Sequence, residues 1–156
     1  MGLDCYIVHG NDHDKAFTSE DAEELKDVQL CGSMFTSGHG SDGSFRGKVY
    51  EPLIDDLMQH EGGIWHKTEH DAPPYVTSEE LKEQAEALEE FLHTVREEYG
   101  VSGSDPNDTN CPLDIDDDTI VYQVDDWAEY TLGEVKDLAT LLGVAGKRGA
   151  VMHVWW

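Results

Sequence analysis

The sequence predicts a single α+β domain, in which a mixed β-sheet of about four to five strands is packed by three to four helices. Its 156 residues are the length of one ordinary domain, and 38% of them are hydrophobic, which is enough to form a core. Segments with the twofold period of a strand alternate with segments of helical spacing. The elements are irregular and their connections uneven, which favours α+β over a doubly wound sheet. We therefore expect residues 1–156 to form one domain with a long acidic loop at 101–118.

The first strand and the first helix are expected near the start of the chain. "GLDCYIV", residues 2–8, alternates in the manner of a strand that buries at least one face. "TSEDAEELKDV", residues 18–28, offers Thr18 or Ser19 as a helix cap. Its acidic residues fall in the first turn, where the helix dipole favours them, but its apolar face is thin. This helix is therefore expected to be short.

A second strand and a second helix are expected on either side of a glycine-rich segment. "VQLCGSMF", residues 28–35, can form the strand. "KVYEPLIDDLMQH", residues 48–60, has apolar residues at helical spacing, and Pro52 falls near the first turn, where its missing N–H costs little. Between them lies "TSGHGSDGSFRGK", residues 36–48, whose composition favours a flexible, solvated loop.

The strongest helical pattern covers residues 78–99, "SEELKEQAEALEEFLHTVREEY". Apolar residues recur there at alternate spacings of four and three, at Leu81, Ala85, Leu88, Leu92, Val95 and Tyr99. Thr77 and Glu80 form a capping-box pattern at the start, and Gly100 stands where a left-handed stop belongs. The run is too short for a coiled coil, which favours one helix lying on a sheet. Its solvent face carries eight Glu against two basic residues, the strongest acidic surface expected on a defined element.

The carboxy-terminal part is expected to contain two strands and a helix. Residues 119–124, "TIVYQV", have the composition of a strand. Thr131 and Glu134 make a second capping box for the helix "LGEVKDLATLL", which Gly143 is expected to close. The sequence "GVAGKRG" that begins at this glycine predicts a turn.

The chain ends in "AVMHVWW", residues 150–156, an almost unbroken apolar run. Such a run is typical of a strand buried on both faces, so we expect it at the centre of the sheet. His153 is then expected to be a satisfied core histidine, and Trp155 and Trp156 to be core or edge anchors.

The balance of charge is the most unusual quantity in the sequence. Asp and Glu number 34 against 10 Lys and Arg, for a formal net charge of -24 with His neutral. Binding to a phosphate backbone needs a basic stripe, which the sequence lacks, so nucleic acid and anionic membrane surfaces are not expected as partners. Repulsion among the acids favours solubility and a monomer or small oligomer. Two explanations stay open: a surface that meets a basic protein partner, and an adaptation to a salty medium.

The cysteines indicate the compartment. Their odd number and wide spacing argue against a disulfide framework and fit a reducing environment: Cys5, Cys31 and Cys111. The start of the chain lacks a basic leader, and no apolar run approaches the roughly 18 residues that a membrane span needs. We therefore expect a cytoplasmic protein that does not enter a membrane.

Residues 36–48 contain the candidate ligand-binding residues. A P-loop is excluded there, because Asp42 replaces its first glycine and Val49 its hydroxyl residue. Three glycines match the spacing of a dinucleotide fingerprint, but they do not follow the first strand as that motif requires.

An anion- or ligand-binding loop is the alternative to a plain turn. Arg46 and Lys48 would supply positive charge, and Ser44 would supply a hydroxyl in front of the next helix. His39 would serve as acid or base, with Asp42 beside it. The sequence specifies no cofactor for such a site.

Two other segments leave metal binding open. "HKTEH", His66 to His70, matches the inverted zinc-protease signature, but flanking glycines and prolines leave little room for the helix that this chemistry needs. As a strand, the segment would place both histidines on one face for a surface zinc or nickel ion. The aspartate loop lacks the turn glycine of an EF-hand, which leaves weak cation binding or a solvated loop. The carboxylates concerned are Asp114, Asp116, Asp117 and Asp118.

Two short segments carry a resemblance to known proteins. The opening "MGLD" before a strand, together with "SFRGKVY" before a helix, resembles short uncharacterised proteins of bacteria and their phages. The resemblance implies that "SFRG" is a structural turn into a helix, and it implies no particular activity.

Composition and motifs together favour a small, acidic, non-enzymatic binding protein. Its acidic surface, densest on residues 78–99, would meet a basic partner or a salty medium. The alternative is a small ligand- or anion-binding enzyme of hydrolase type that uses residues 36–48, with His66 or His70 nearby.

Overall fold

Four α-helices and five strands make up the part of the chain that the structure describes. The computed structural model describes residues 4–9, 13–33, 41–60, 63–65, 70–99, 121–126 and 128–155. The strands are β1 (Asp4–Val8), β2 (Ser41–Arg46), β3 (Val121–Asp125), β4 (Ala128–Thr131) and β5 (Val151–Trp155). The helices are α1 (Ser19–Leu25), α2 (Glu51–Leu57), α3 (Ser78–Tyr99) and α4 (Leu132–Arg148), with short 3-10 helices at His13–Lys15 and Gly47–Val49. The predicted α+β class is confirmed, while the acidic loop at 101–118 lies outside the described residues.

β1 is the central strand of a three-stranded antiparallel sheet with the order β2-β1-β5. Cys5 and Ile7 face the core and are fully buried, because residues in a strand alternate between the two faces. Phe45 of β2 and Met152 of β5 lie on the same buried face. Tyr6 belongs to the opposite face, which is partly open to solvent.

The carboxy-terminal run does not form the expected central strand. β5 lies at the edge of its sheet, and its second edge is joined to the described residues by a single bridge between Met152 and Val76. One face of the strand is buried at Met152, whereas Trp155 on the other face is 70% exposed. Continuous apolarity therefore did not mean burial on both faces here.

β3 and β4 form a second, two-stranded antiparallel sheet instead of joining one mixed sheet. β3 ends at Asp125 and β4 begins at Ala128, and two strands joined by so few residues can only pair antiparallel. The hairpin is tied to the α2 region by two tyrosine hydroxyls: Tyr130 donates to the Val49 carbonyl at 2.6 Å, and Tyr122 donates to Asp56.

The predicted amino-terminal caps of α3 and α4 are confirmed. Thr77 and Glu80 exchange hydrogen bonds at 3.2 Å, each side chain accepting from the other residue's backbone N–H. Thr131 Oγ1 accepts from the N–H of Glu134 at 3.1 Å. Such side chains satisfy donors that the first helical turn leaves without a partner.

α4 continues past Gly143 to Arg148, so the predicted stop and the predicted turn are wrong. Gly149, at φ 80°, is the left-handed cap that ends the helix. The interior glycines face α3: a Cβ on Gly146 would stand 2.7 Å from Lys82 Cγ and 3.0 Å from the Ser78 carbonyl oxygen. A larger residue does not fit at Gly146 without a shift, because the two helix backbones approach closely at this point.

Residues 28–33 do not form the expected strand. Val28 and Leu30 are buried, but the chain turns at Cys31 and does not add a strand to either sheet. The Cys31 N–H donates to the Tyr50 hydroxyl at 2.8 Å, and its carbonyl accepts from Arg46 at 2.8 Å. These contacts seat the segment beside β2.

Trp65 is the largest fully buried side chain among the described residues. Its ring meets Phe45 edge-on at 5.9 Å, and its Nε1–H donates to Oε1 of the buried Gln84 at 2.6 Å. The Asp55 carboxylate accepts from the two backbone N–H groups just before Trp65, at 3.0 and 2.8 Å. The core therefore includes one satisfied polar pair, as buried donors require.

Candidate functional site

The structure describes only part of the predicted ligand-binding segment, residues 36–48. His39 lies outside the described residues, and so does the side chain of Asp42. Ser44 and Arg46 belong to β2, not to a loop, and they lie on the face opposite the buried Phe45.

Arg46 has an acidic neighbour. Its Nε lies 4.0 Å from an oxygen of Asp4, the residue opposite it on β1. Lys48 is exposed on the following 3-10 helix, and α2 beyond it has only seven residues and no side-chain cap. The structure thus brings Ser44 and Arg46 to one open sheet face, and the predicted five-residue site stays a prediction.

The candidate metal segments are only partly described. His70 is exposed, whereas His66 and the carboxylates of the aspartate loop lie outside the described residues. Within the described part of the chain, no group of three or more His, Cys, Asp or Glu is placed to hold a metal ion.

A cavity of about 430 Å³ opens where the end of β1 meets the start of β5. It is lined by Val8, His9, Lys15, Tyr75, Gly149, Val151 and His153. The aliphatic part of Lys15 passes over Gly149, with its carbons 3.8 to 4.0 Å from the point where a Cβ would stand. Four separate segments therefore converge on one cavity.

One wall of this cavity is aromatic. The rings of Tyr75 and His153 stack with centroids 5.7 Å apart and planes within 7°. His153 is not the core histidine that we expected, because it alternates with the buried Met152 and faces outward. Sequence reasoning missed this cavity, although the twofold alternation of Val151, His153 and Trp155 would have placed His153 on the outer face.

α3 presents a second feature, which we call the glutamate stripe: Glu79, Glu83, Glu86, Glu90 and Glu97. All five side chains are exposed. At 100° per residue they share an arc of about 60°, and they extend over about 27 Å of the helix. The buried residues Leu81, Ala85, Leu88 and Leu92 lie on the opposite side of the same helix.

Most acidic residues elsewhere in the described part of the chain are exposed, whereas Asp55 is partly buried and one carboxylate oxygen of Glu51 is buried. Asp21 is the one acidic residue in this part of the chain whose side chain is buried, and it is paired with Arg148. No helix in the same residues is both long enough and apolar enough to cross a membrane.

Two buried groups outside the cavity and the glutamate stripe have strongly raised pKa values. Burial, together with the carboxylates of Glu51 and Asp4, raises the pKa of the Cys5 thiol far above its ordinary value. Burial likewise raises the pKa of the Tyr50 hydroxyl to about 12. Both groups therefore stay protonated at neutral pH, and the Cys5 thiol is not held in the reactive thiolate form.

Comparison of the chain with protein-family models, with curated proteins and with solved structures finds no match. Any functional conclusion therefore rests on the geometry and charge of the residues themselves.

Proposed function

We propose that this protein is a small, non-enzymatic binding protein whose glutamate stripe receives a basic segment of a partner protein. One observation carries the proposal: five exposed carboxylates share one narrow arc of α3, directly opposite its buried face. Because the buried face fixes the rotation of the helix, the carboxylates are held toward solvent in a defined row.

The middle of the stripe has no described counter-charge. Lys82 pairs with Glu79 at 3.1 Å, and His93 lies 3.2 Å from Glu97, so the described partners are at the two ends. Among the described residues, no basic side chain pairs with Glu83, Glu86 or Glu90. These three carboxylates form the part of the stripe to which a partner's cations would bind.

Repulsion between the carboxylates of the stripe lowers the stability of the helix that carries them. Like charges three or four residues apart destabilise a helix by about 0.2–0.5 kcal/mol per pair. Successive members of the stripe from Glu79 to Glu90 are spaced in this way. A basic segment would relieve that repulsion, which adds a favourable term to its binding.

The spacing defines the partner's chemistry. A segment with Lys or Arg at alternate spacings of four and three residues, in a helix laid along α3, would place one cation near each carboxylate. Exposed ion pairs contribute little individually, so a row of them is needed for specific binding. The exposed free thiol of Cys31 fits a reducing, cytoplasmic compartment for this encounter.

The experiment compares two charge-matched variants of the full chain. E83Q/E86Q/E90Q neutralises the centre of the stripe, and the control E24Q/D27N/E129Q neutralises three exposed acids elsewhere. The probe is an alanine-based helical peptide with lysines at alternate spacings of four and three, titrated by fluorescence anisotropy at low salt. At about 0.5 kcal/mol per exposed pair, the stripe variant should bind roughly tenfold more weakly.

The control decides between local and global charge. Both variants change the net charge equally, so any difference between them reports the position of the charges. Because the control acids lie outside the stripe, the control should retain the affinity of the native protein within about threefold. Equal weakening in both variants contradicts the proposal, because it assigns binding to total charge. Absence of binding to the native protein also contradicts it and leaves adaptation to a salty medium as the explanation of the acidity.

A further inference from the structure

The cavity between β1 and β5 differs in character from the rest of the molecule. Its floor is apolar, because Val8 and Val151 are paired across the two strands and both line it. Its volume of about 430 Å³ falls within the range of roughly 300–1,000 Å³ that is typical of small-molecule sites.

The polar groups around this floor are basic or neutral. His9, Lys15 and His153 line the cavity together with Tyr75, and none of the described lining residues carries a carboxylate. In a chain with 34 acidic residues and 10 Lys and Arg, this is a local reversal of the overall charge balance. Nitrogen donors in a partly enclosed space favour an anionic group.

The aromatic wall favours a ligand whose anionic group is attached to a planar, apolar group. Tyr75 and His153 are already stacked within 7° of parallel, so they offer aligned ring surfaces and edges at the side of the cavity. A planar ring placed against these aromatic groups gains contact energy beyond the apolar area that it buries.

From these observations we infer that the cavity binds a small organic anion, with its planar apolar body on the valine floor and aromatic wall and its carboxylate or phosphate near Lys15. Lys15 provides positive charge and the two histidines provide ring nitrogens, in a molecule that otherwise repels anions. This site is separate from the glutamate stripe and takes a ligand of opposite charge.

The test titrates the full chain with benzoate, phenyl phosphate and benzamide, which share a ring and differ in the charged group. Dissociation constants come from NMR shifts, including those of the histidine ring protons. The better of the two anions should bind at least about tenfold more tightly than neutral benzamide, because a hydrogen bond to a charged group is the stronger kind. Preference for benzoate or for phenyl phosphate identifies which anion the cavity takes.

Variants assign the binding to the cavity. K15Q should weaken the preferred anion about tenfold, while the control K147Q, at an exposed lysine outside the cavity lining, should leave it unchanged. Y75L should weaken all three ring compounds by removing the aromatic wall.

Several results would overturn the inference. Equal affinity for benzamide and the anions would show that the cavity does not select for charge. Equal effects of K15Q and K147Q would show that the anion does not bind in this cavity. Inorganic phosphate is titrated as a further probe. If it binds as tightly as phenyl phosphate, the ring contributes nothing to binding. Absence of shifts with every probe removes the site.

Discussion

At the scale of single residues, the contact between Asp21 and Arg148 joins α1 to the end of α4. Arg148 donates to both carboxylate oxygens at 2.9 and 3.1 Å, and the Asp21 side chain is only 9% exposed. Burial opposes the charged form, but hydrogen bonds from Arg148 and from the Thr18 backbone outweigh it and lower the pKa of Asp21. The pair therefore stabilises the fold only while Asp21 is ionised.

D21N is expected to reduce the free energy of unfolding by about 2 kcal/mol at neutral pH, because it removes a charge-assisted pair. The control D27N changes an exposed carboxylate in the turn after α1 and should cost less than about 0.5 kcal/mol. The folded pKa of Asp21 lies below its unfolded value near 3.9. Its contribution is therefore complete above that value and is lost as the pH falls through the folded pKa.

Urea unfolding of the native protein and D21N, from neutral pH to about pH 2, measures this contribution. The two stability curves should run parallel above about pH 5 and converge in acid. A difference that persists unchanged to the lowest pH would show that the Asp21 charge does not contribute.

At the scale of elements, the packing of α4 on α3 depends on how closely their backbones approach. Gly146 faces Lys82 and the Ser78 carbonyl at distances too short for an added Cβ. Gly143, nearly one turn earlier, has more room, since the nearest described atom to a Cβ there would be Ala85 Cβ at 3.7 Å, an ordinary contact distance. The two glycines thus distinguish helix propensity from packing.

G146A and G143A are expected to have opposite effects. G146A should reduce the free energy of unfolding by about 1–2 kcal/mol, because backbone atoms of α3 cannot yield to the new methyl group. G143A should raise it by up to about 1 kcal/mol, the gain in helix propensity of Ala over Gly. Thermal and urea unfolding of both variants measure the difference, and stabilisation by G146A would contradict the close approach.

Elements defined by local signals could be predicted, and those defined by distant contacts could not. α3 matches its predicted range because its caps and its apolar spacing are written within the segment itself. The end of α4 was misplaced because the helix continues past Gly143 with buried residues on both sides of it, and this burial depends on elements distant in sequence. The position of β5 was misjudged because apolar content does not tell an edge strand from a central one.

At the scale of the whole molecule, the cavity shows why the site could not be predicted. Lys15, Tyr75 and His153 line one cavity beside the paired strands β1 and β5, although they are distant in sequence and no short motif links them. Ser44 and Arg46 were predicted as ligand-binding residues because of the glycine-rich sequence around them, but in the structure they belong to the strand β2. The glutamate stripe could be foreseen because one helix contains all of it.

Net charge is the other property of the whole molecule. In the described residues, most acidic side chains lie at the surface, while Asp21 is buried and Glu51 and Asp55 are partly buried. Their repulsion opposes the compact state unless ions or a basic partner screen it. We propose that repulsion within this acidic surface limits stability and that the same surface selects a basic partner.

The thermal unfolding midpoint of the native protein, measured from low salt to about 1 M KCl at neutral pH, tests this claim most directly. Over that range the screening length falls from tens of ångströms to about 3 Å, below the spacing of neighbouring carboxylates on α3. The midpoint should rise by at least about 5 °C, corresponding to one or two kcal/mol of relieved repulsion. A midpoint that stays constant or falls as salt is added would contradict the account.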